Sequence, residues 1–272
     1  MLAYCEHASS VRPIKTLAAG ITLIAICLAV LVTLGVSAKN LYLESDWERK
    51  SHSPSYIIRS LGMGLLNYES AYKRFPPPRM NDHSWRIRLL PFLVSCVHYS
   101  EYDFESPWYS SGNMLLDRRP LREGKGPNPN ESYVRGMPFE FGSSLDFPQQ
   151  TRFVMIVGED FFATDTEVRR ATDILDGVEN TIALTETPRS DLHWLLPLDL
   201  NKTEMSYRVN DGPNSIGNSK GRMPVVCFCD GQVFYLNPKI PEKALRSLLT
   251  INGREDVDRD TCVKNGWLIA TE

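Results

Sequence analysis

The chain has 272 residues, of which 42% are hydrophobic and 23% charged, and these proportions are typical of a globular protein with a sizeable core. Its formal net charge is -3 at pH 7, so it lacks the excess of positive charge with which proteins bind phosphate backbones. We therefore expect no nucleic-acid partner.

Residues 16–38 (TLAAGITLIAICLAVLVTLGVSA) carry no charge, and a helix of this length crosses a hydrocarbon core about 30 Å thick. The run is longer than the apolar region of roughly 7–15 residues in a cleavable signal peptide. Cleavage after the small residues Val36-Ser37-Ala38, which would release the domain, is therefore the less favoured alternative. The run predicts one transmembrane helix.

Arg12 and Lys15 precede the run, and Lys39, Arg49 and Lys50 follow it among several acidic residues. The positive-inside rule, together with a short N-terminal flank and a large C-terminal domain, favours a cytoplasmic N-terminus.

This topology divides the chain into parts. We expect a cytoplasmic flank (1–15), a span in the cell inner membrane (16–38), a juxtamembrane linker (39–53), a periplasmic domain (54–255) and a C-terminal tail (256–272).

The domain should open with a helix that begins at Ser53-Pro54 and ends near Lys73, since serine is a good N-cap and proline suits the first turn. Its buried stripe would consist of Ile57, Leu61, Leu65, Tyr68 and Tyr72. Gly62 and Gly64 lie inside this helix. Because glycine weakens a helix by roughly 0.5–1 kcal/mol relative to alanine, we expect both to admit a close neighbour.

The segment 84–93 (SWRIRLLPFL) predicts a short helix or turn that carries a tryptophan and aliphatic side chains into the core. Its alternating polar residues, Arg86 and Arg88, are expected in solvent. Aromatic residues then crowd residues 99–109 (YSEYDFESPWY). They could stack on sugar rings or on a partner's side chains, although core packing is the commoner use. Residues 117–147 read as a long irregular surface segment.

The second half predicts strands at residues 151–157, 181–185, 225–229 and 232–236. The last two flank Asp230-Gly231, a pair that favours a tight two-residue hairpin turn with positive φ angles. One amphipathic helix follows at residues 241–250. The order of elements predicts an α+β fold with a soluble amphipathic helix, a mainly antiparallel sheet, long loops and one late helix.

The best candidates for chemistry are Glu186, Asp191, His193 and Asp199, which gather carboxylates and an imidazole in a short stretch. A metal-assisted hydrolase centred on Glu186, His193 and Asp199 is therefore one hypothesis. Solvated loop carboxylates are the ordinary alternative, and the spacing matches no established metal motif. The sequence contains no G-x-S-x-G, H-E-x-x-H or Walker-type motif, so we expect no enzyme and no cofactor.

Four cysteines follow the span: Cys96, Cys227, Cys229 and Cys262. They could form two disulfides, but spacing does not reveal connectivity. Cys227 and Cys229 leave the same face of a strand. They could equally pack as small apolar groups.

Several blocks of the sequence resemble the bacterial, pseudopilin-like domain-of-unknown-function family 1559. They are LGMGLLNYESAYKRFPPP (61–78), SWRIRLLPFL (84–93), TDILDGVENTIALTE (172–186), HWLLPLDL (193–200) and FCDGQVFYL (228–236). Members of this family often pair a prepilin-type N-terminus with a C-terminal H-x9-DG motif. The resemblance implies a pseudopilin-like fold and a possible cleavage site between Gly20 and Ile21.

The sequence departs from that pattern at three positions, of which Ile21 in place of Phe is the conservative one. The prepilin signature is a Gly followed by Phe-Thr-Leu-Ile-Glu, but Ala25 stands in place of the Glu, and Lys220 stands in place of the motif's His. A carboxylate inside the bilayer is costly and marks function, so its loss favours a permanent anchor over a fibre subunit. We therefore predict a non-enzymatic, single-pass protein with a structural role or a protein or envelope-polymer partner. A pilus-like subunit cleaved after Gly20 is an alternative.

Overall fold

The structure, a computed structural model, describes residues 53–93, 99–116, 150–165 and 167–271. The predicted membrane span at residues 16–38, its flanks up to residue 52, Cys96 and the predicted surface segment at residues 117–147 lie outside these ranges. Within them, no helix is both long enough and apolar enough to cross a membrane. All described residues belong to one compact unit, residues 51–272.

The first helix, α1 (Pro54–Tyr72), confirms the prediction from the capping pattern. The Ser53 hydroxyl accepts a hydrogen bond from the Tyr56 backbone N–H at 3.3 Å, and Lys73 ends the helix in the left-handed conformation at φ 57. Ile57, Leu61, Leu65 and Tyr68 are buried as expected, whereas Tyr72 is 53% exposed. The buried stripe of α1 is therefore one turn shorter than predicted.

The two glycines of α1 do admit close neighbours. A Cβ atom built on Gly62 would lie 2.5 Å from the Cys227 Sγ, and one on Gly64 would lie 2.8 Å from the Leu93 Cδ2. Both distances are well below van der Waals contact. The helix loses propensity at these positions and gains close packing, against the sheet at Gly62 and against Leu93 at Gly64.

The segment 84–93 forms a short helix, α2 (Trp85–Leu89), capped by Ser84 and continued as a 3₁₀ turn over Leu90–Phe92. It follows a small antiparallel hairpin of β1 (Arg79–Met80) and β2 (His83–Ser84). The other described helices are α3 (Ser111–Leu116), α4 (Glu242–Ser247) and α5 (Arg259–Lys264).

The main sheet has five antiparallel strands in the order β3-β5-β7-β8-β9. They are β3 (Phe153–Val154), β5 (Ile182–Glu186), β7 (Val225–Phe228), β8 (Val233–Leu236) and β9 (Leu268–Ala270). A separate parallel pair joins β4 (Ile156–Val157) to β6 (Leu200–Asn201). The structure thus confirms an α+β fold with a mainly antiparallel sheet.

The predicted strand at residues 151–157 is in fact two short strands that pair with different partners. The break falls at Met155, whose N–H donates to the Asp199 Oδ1 at 2.9 Å and whose carbonyl accepts from the Leu200 N–H at 3.1 Å. These bonds turn the backbone away from β5 and toward the segment that contains β6. The side chain of a distant aspartate, which local strand propensity does not register, decides this break.

The Asp230-Gly231 hairpin forms where it was predicted, but its loop is longer by one residue. Phe228 forms two backbone hydrogen bonds across the loop. Its N–H donates to the Gln232 carbonyl and its own carbonyl accepts from the Gly231 N–H, both at 2.9 Å. Of the two turn residues, Gly231 alone has a positive φ, 82°. This is a three-residue loop with glycine in the left-handed position, not a two-residue turn with two positive angles.

The chain beyond Glu255, predicted as a tail, contributes to the same sheet. It forms α5 and then β9, which pairs with β8 and makes the sheet's last strand. The Arg259 side chain also binds the hairpin turn, with its Nη1 2.6 Å from the Asp230 Oδ2. The fold therefore has two late helices where the sequence predicted one.

The sheet is covered on both faces. Alternate residues of β7 point to opposite sides, as a strand requires: Val225 and Cys227 pack with α1, and Val226 and Phe228 pack with α4. All four residues of β7 are buried. The α1 layer, the sheet, and a layer of α4 and α5 thus form three levels that position the loops described next.

Candidate functional site

The predicted group of Glu186, Asp191, His193 and Asp199 does not assemble into one site. In the described part of the chain, no group of three or more His, Cys, Asp or Glu side chains could hold a metal ion. Asp191 makes an ion pair with Arg189, from Nη2 to Oδ2 at 2.9 Å, and its side chain is 69% exposed. The other three have separate sets of partners.

Asp199 lies in a buried ion pair with Arg86. The Arg86 side chain is 0% exposed and that of Asp199 is 3% exposed, and the Nη2–Oδ1 distance is 3.0 Å. Arg86 also donates to the carbonyl of Phe153 at 2.7 Å, to that of Leu196 at 3.3 Å and to the Ser84 hydroxyl at 3.0 Å. The prediction that Arg86 is solvated was wrong, because α2 is covered by segments from the second half of the chain.

The same carboxylate oxygen of Asp199 accepts two further hydrogen bonds, from the Trp85 Nε1 at 3.1 Å and from the Met155 N–H at 2.9 Å. Burial raises the pKa of Asp199, while the Arg86 charge and these hydrogen bonds act against that rise. Through these bonds Asp199, just before β6, is connected to α2 and to Met155 between β3 and β4. Its Oδ1 thus accepts from three donors that hold these segments together, and no metal-binding group includes Asp199 among the described residues.

Glu186 ends β5 and is completely buried. Its Oε1 accepts from the Asn218 Nδ2 at 2.5 Å and its Oε2 from the Val225 N–H at 3.4 Å. Burial raises the pKa of Glu186 to about 7, against the effect of these two bonds and of the positive charge of Arg152. A buried carboxyl group with this pKa changes its charge near neutral pH.

Glu186 is also the anchor of a long loop between residues 206 and 222. The Gly217 N–H donates to the Glu186 carbonyl at 2.9 Å, and the Asn218 N–H donates to the Asn210 Oδ1 at 2.7 Å. Asn210 adopts a left-handed conformation at φ 63. Sequence reasoning missed Asn218 and Asn210, since both lie in a polar stretch rich in Asn and Ser where no single residue stands out.

Two shallow depressions border this loop on either side of Pro188. One, of about 430 Å³, is lined by residues 188–191 with Pro213 and Asn214. The other, of about 380 Å³, includes Asn210, Gly212 and Asn218. Both are surface features, unlike the enclosed, water-excluding pockets in which polar catalysis usually takes place.

His193 lies beside the aromatic ring of Trp108. Its Nδ1 accepts from the Leu195 N–H at 3.1 Å, and its ring centroid is 5.8 Å from that of Trp108. The described structure thus separates it from Glu186 and Asp199 as a possible metal ligand. Its position instead connects it to the aromatic segment that the sequence singled out.

That aromatic segment divides between core and surface. Tyr102 is 6% exposed, and its hydroxyl lies 2.8 Å from the Nδ1 of buried His83. The other ring nitrogen of His83 is 2.9 Å from the Phe104 carbonyl oxygen. Tyr109, by contrast, is 65% exposed. Core packing accounts for the first part of the segment but not for the last.

The three described cysteines, Cys227, Cys229 and Cys262, are free and buried. None of the three forms a disulfide with another, while Cys96 lies outside the described residues. Burial raises the pKa of Cys227 to about 12 and that of Cys262 to about 11. The alternative interpretation, that Cys227 and Cys229 pack as small apolar groups, is confirmed.

One family model matches the sequence. It is described as a Protein of unknown function (DUF1559), and it covers residues 55–195, just over half of the chain. The matched range contains α1 from its second residue, the segment 84–93 and β5, whereas residues 20–25 and the Asp230-Gly231 hairpin lie outside it. No match was found among curated proteins or among solved structures.

Proposed function

Because the chain belongs to the DUF1559 family, whose function is unknown, we propose a role from its own residues: a single-pass membrane protein with an extracytoplasmic binding domain. Its partner would be a protein or an envelope polymer. The observation that carries this proposal is the uncharged run at residues 16–38, directly before the domain. Such a run spans a bilayer by length and composition.

The internal bonds of the acidic residues support a role without catalysis. A general acid or base must reach the proton that it transfers. Asp199 is held by Arg86, and Glu186 faces Asn218 beneath a loop. Both carboxylates are bonded to groups of the protein itself, which favours a binding role over a metal-assisted hydrolase.

A pilus-like subunit is the second candidate. In its favour, a long helix, α1, precedes and packs on an antiparallel sheet, an order of elements that suits a subunit with an N-terminal helical stem. Against it, Ala25 stands where the prepilin signature has a carboxylate. The two candidates predict different mature N-termini.

Protease accessibility tests the topology. Intact spheroplasts would be treated with protease and probed with an antibody to the C-terminal domain, with a cytoplasmic protein as control. We expect the domain to be digested while the control stays intact. Protection of the domain until lysis would place it in the cytoplasm and overturn the proposal.

N-terminal sequencing of the protein from membranes separates the remaining alternatives. A permanent anchor keeps residues 1–15, a pilus-type subunit begins at Ile21, and a released domain begins near Lys39. We expect the first result. A start at Ile21 would instead support assembly into a fibre.

A further inference from the structure

Asn252 and Gly253 form an exposed Asn-Gly pair in the turn between α4 and α5. Such pairs deamidate without an enzyme: the glycine nitrogen attacks the side-chain carbonyl carbon of asparagine, the new N–Cγ bond closes a cyclic imide, and the Cγ–Nδ2 bond breaks. The proton of the attacking N–H leaves with the ammonia, and water then opens the imide to aspartate or isoaspartate. Glycine favours this reaction because it has no side chain to hinder ring closure.

The attacking nitrogen of this pair is held by a carboxylate from a distant part of the chain. The Gly253 N–H donates to the Asp176 Oδ2 at 2.6 Å, and the next N–H, that of Arg254, donates to the Oδ1 at 3.0 Å. Hydrogen bonds to a carboxylate are roughly twice as strong as those between neutral groups. The Gly253 nitrogen must therefore give up a strong bond, as well as its proton, before it can attack.

The carbonyl that would be attacked is, in contrast, activated. The Arg254 Nε donates to the Asn252 Oδ1 at 3.3 Å. A positively charged donor at a carbonyl oxygen stabilises the negative charge that develops there when a nucleophile adds. The turn thus places an activated carbonyl beside a restrained nucleophile, and the bond from Gly253 to Asp176 opposes the reaction.

A second Asn-Gly pair, Asn265-Gly266, is held in a different way. It lies at the end of α5, where the Gly266 N–H donates to the Val263 carbonyl at 3.0 Å. The Asn265 Nδ2 donates to the Thr261 carbonyl at 2.9 Å. Both acceptors belong to the helix itself, so the protection of this pair does not depend on Asp176.

We propose that Asn252-Gly253 is a latent site of spontaneous deamidation, which Asp176 keeps unreacted in the folded protein. The reaction would place a new carboxylate beside Asp176 and Glu255, whose side chains both lie within 3.4 Å of the Thr250 hydroxyl. Repulsion between these charges would weaken the hold of Asp176 on the turn. The proposal goes beyond the proposed function and is independent of it.

Mass spectrometry of the full-length protein in detergent tests this site. The protein would be incubated in mildly alkaline buffer and digested with pepsin at low pH, where deamidation is slow, before the amide and acid forms of each peptide are quantified. We expect Asn252 of the folded wild type to deamidate about tenfold more slowly than in urea, or slower still. Asp176→Ala should raise the rate in the folded protein by about tenfold, because the Gly253 nitrogen loses its charged acceptor.

Asn265 is the internal control, and its rate should be the same in Asp176→Ala as in the wild type. Thr250→Val is the matched control variant, since it removes the hydroxyl 3.4 Å from the Asp176 Oδ2 but keeps the carboxylate. Asn252 should stay protected in this variant. If near-ultraviolet circular dichroism shows that Asp176→Ala does not fold, Asp176→Asn replaces it, because it keeps the volume and one oxygen acceptor; the rise should then be smaller.

Four results would each overturn the proposal. They are equal rates at Asn252 in the folded wild type and in urea, an unchanged rate in the folded Asp176 variant, an equal rise at Asn265, and an equal rise in Thr250→Val. Because none of these rates depends on the location of the domain, their outcome is separate from that of the topology experiment.

Discussion

Arg86 and Asp199 form an ion pair inside the domain although 113 residues separate them in the sequence. The pair connects α2, near the start of the domain, with the segment that precedes β6. Arg86 also donates hydrogen bonds to two backbone carbonyls, and Asp199 accepts one from a backbone N–H. Burying an ion pair costs desolvation free energy. Removing one partner costs more, because the other charge then stays buried without a counter-charge.

The first prediction concerns the removal of Arg86 from this ion pair. Arg86→Met leaves the Asp199 carboxylate buried without its cation and removes the donors to Phe153 and Leu196. We expect the free energy of unfolding to fall by about 3–5 kcal/mol. Urea titration of the full-length protein, followed by tryptophan fluorescence, would measure it.

Arg189→Met is the matched control for this experiment. It also removes the arginine of an Arg–Asp pair, but that pair is exposed, with 69% of the Asp191 side chain in solvent. Its loss should cost less than about 1 kcal/mol. Equal effects of the two substitutions would show that the buried pair contributes no more than a surface pair.

The burial of Arg86 is an example of a feature that the sequence did not predict. The helix at residues 54–72 and the Asp230-Gly231 hairpin were predictable because caps, periodicity and turn residues act within a few positions. The environment of Arg86 was not, since residues more than sixty positions away cover it. Helical spacing showed which residues share a face, but not that both faces of so short a helix would be covered.

The candidate metal-binding residues do not come together, for a related reason. Glu186, His193 and Asp199 are close in sequence, but each contacts a different partner: Asn218, Trp108 and Arg86 respectively. Short sequence separation therefore brought no common site. Conversely, Asn218 meets Glu186 across 32 positions, and Arg259 meets Asp230 across 29. Both partners lie in stretches whose polar composition gave no local signal.

The second prediction is a pH dependence that originates in Glu186. Its pKa rises from 4.5 to about 7 on folding, so the folded state binds the proton more tightly than the unfolded state. Stability should therefore fall as the pH rises from about 4.5 to 7, by about 3 kcal/mol in total. Glu186→Gln does not titrate and should lack this fall.

Urea titrations between pH 4 and pH 8 would compare the variant with the wild type. The stability of Glu186→Gln minus that of the wild type should increase across the interval and then stay level. Glu204→Gln changes an exposed side chain, so its profile should run parallel to the wild type. If Glu186→Gln also ran parallel, the titration of Glu186 would not be linked to folding.

The third prediction tests the close approach of α1 to the sheet. Gly62→Ala places a Cβ 2.5 Å from the Cys227 Sγ, an overlap that the packed sheet must accommodate. We expect a loss of about 1–3 kcal/mol in the free energy of unfolding. Gly112→Ala, in α3, meets no atom within 4 Å. It should be neutral or stabilising by up to about 1 kcal/mol.

A double variant identifies the atom responsible. Cys227→Ala removes the sulfur and opens space beside Gly62, so Gly62→Ala should cost less in that background than in the wild type. Urea titration of the four proteins completes the cycle. Strictly additive effects would mean that the sulfur does not cause the strain.

The fourth prediction concerns the buried thiols and follows from the proposed extracytoplasmic location, where exposed cysteine pairs tend to oxidise. Cys227 and Cys229 belong to the core on the α1 side of the sheet, whereas Cys262 belongs to the opposite side. The sheet therefore separates Cys262 from the other two. Since burial also raises the pKa of each thiol, little reactive thiolate is present at neutral pH.

Alkylation with iodoacetamide, mapped by mass spectrometry, measures this protection. We expect Cys227, Cys229 and Cys262 to remain unmodified in the folded protein and to react as urea unfolds it. Val263→Cys supplies an internal standard, because Val263 is 42% exposed beside buried Cys262 on the same helix, and a thiol there should react at once. If Cys262 reacted as fast as this neighbour, or were recovered in a disulfide with Cys227 or Cys229, the two-sided core would not protect it. Retention of all three thiols would show that burial in the folded core protects them from modification.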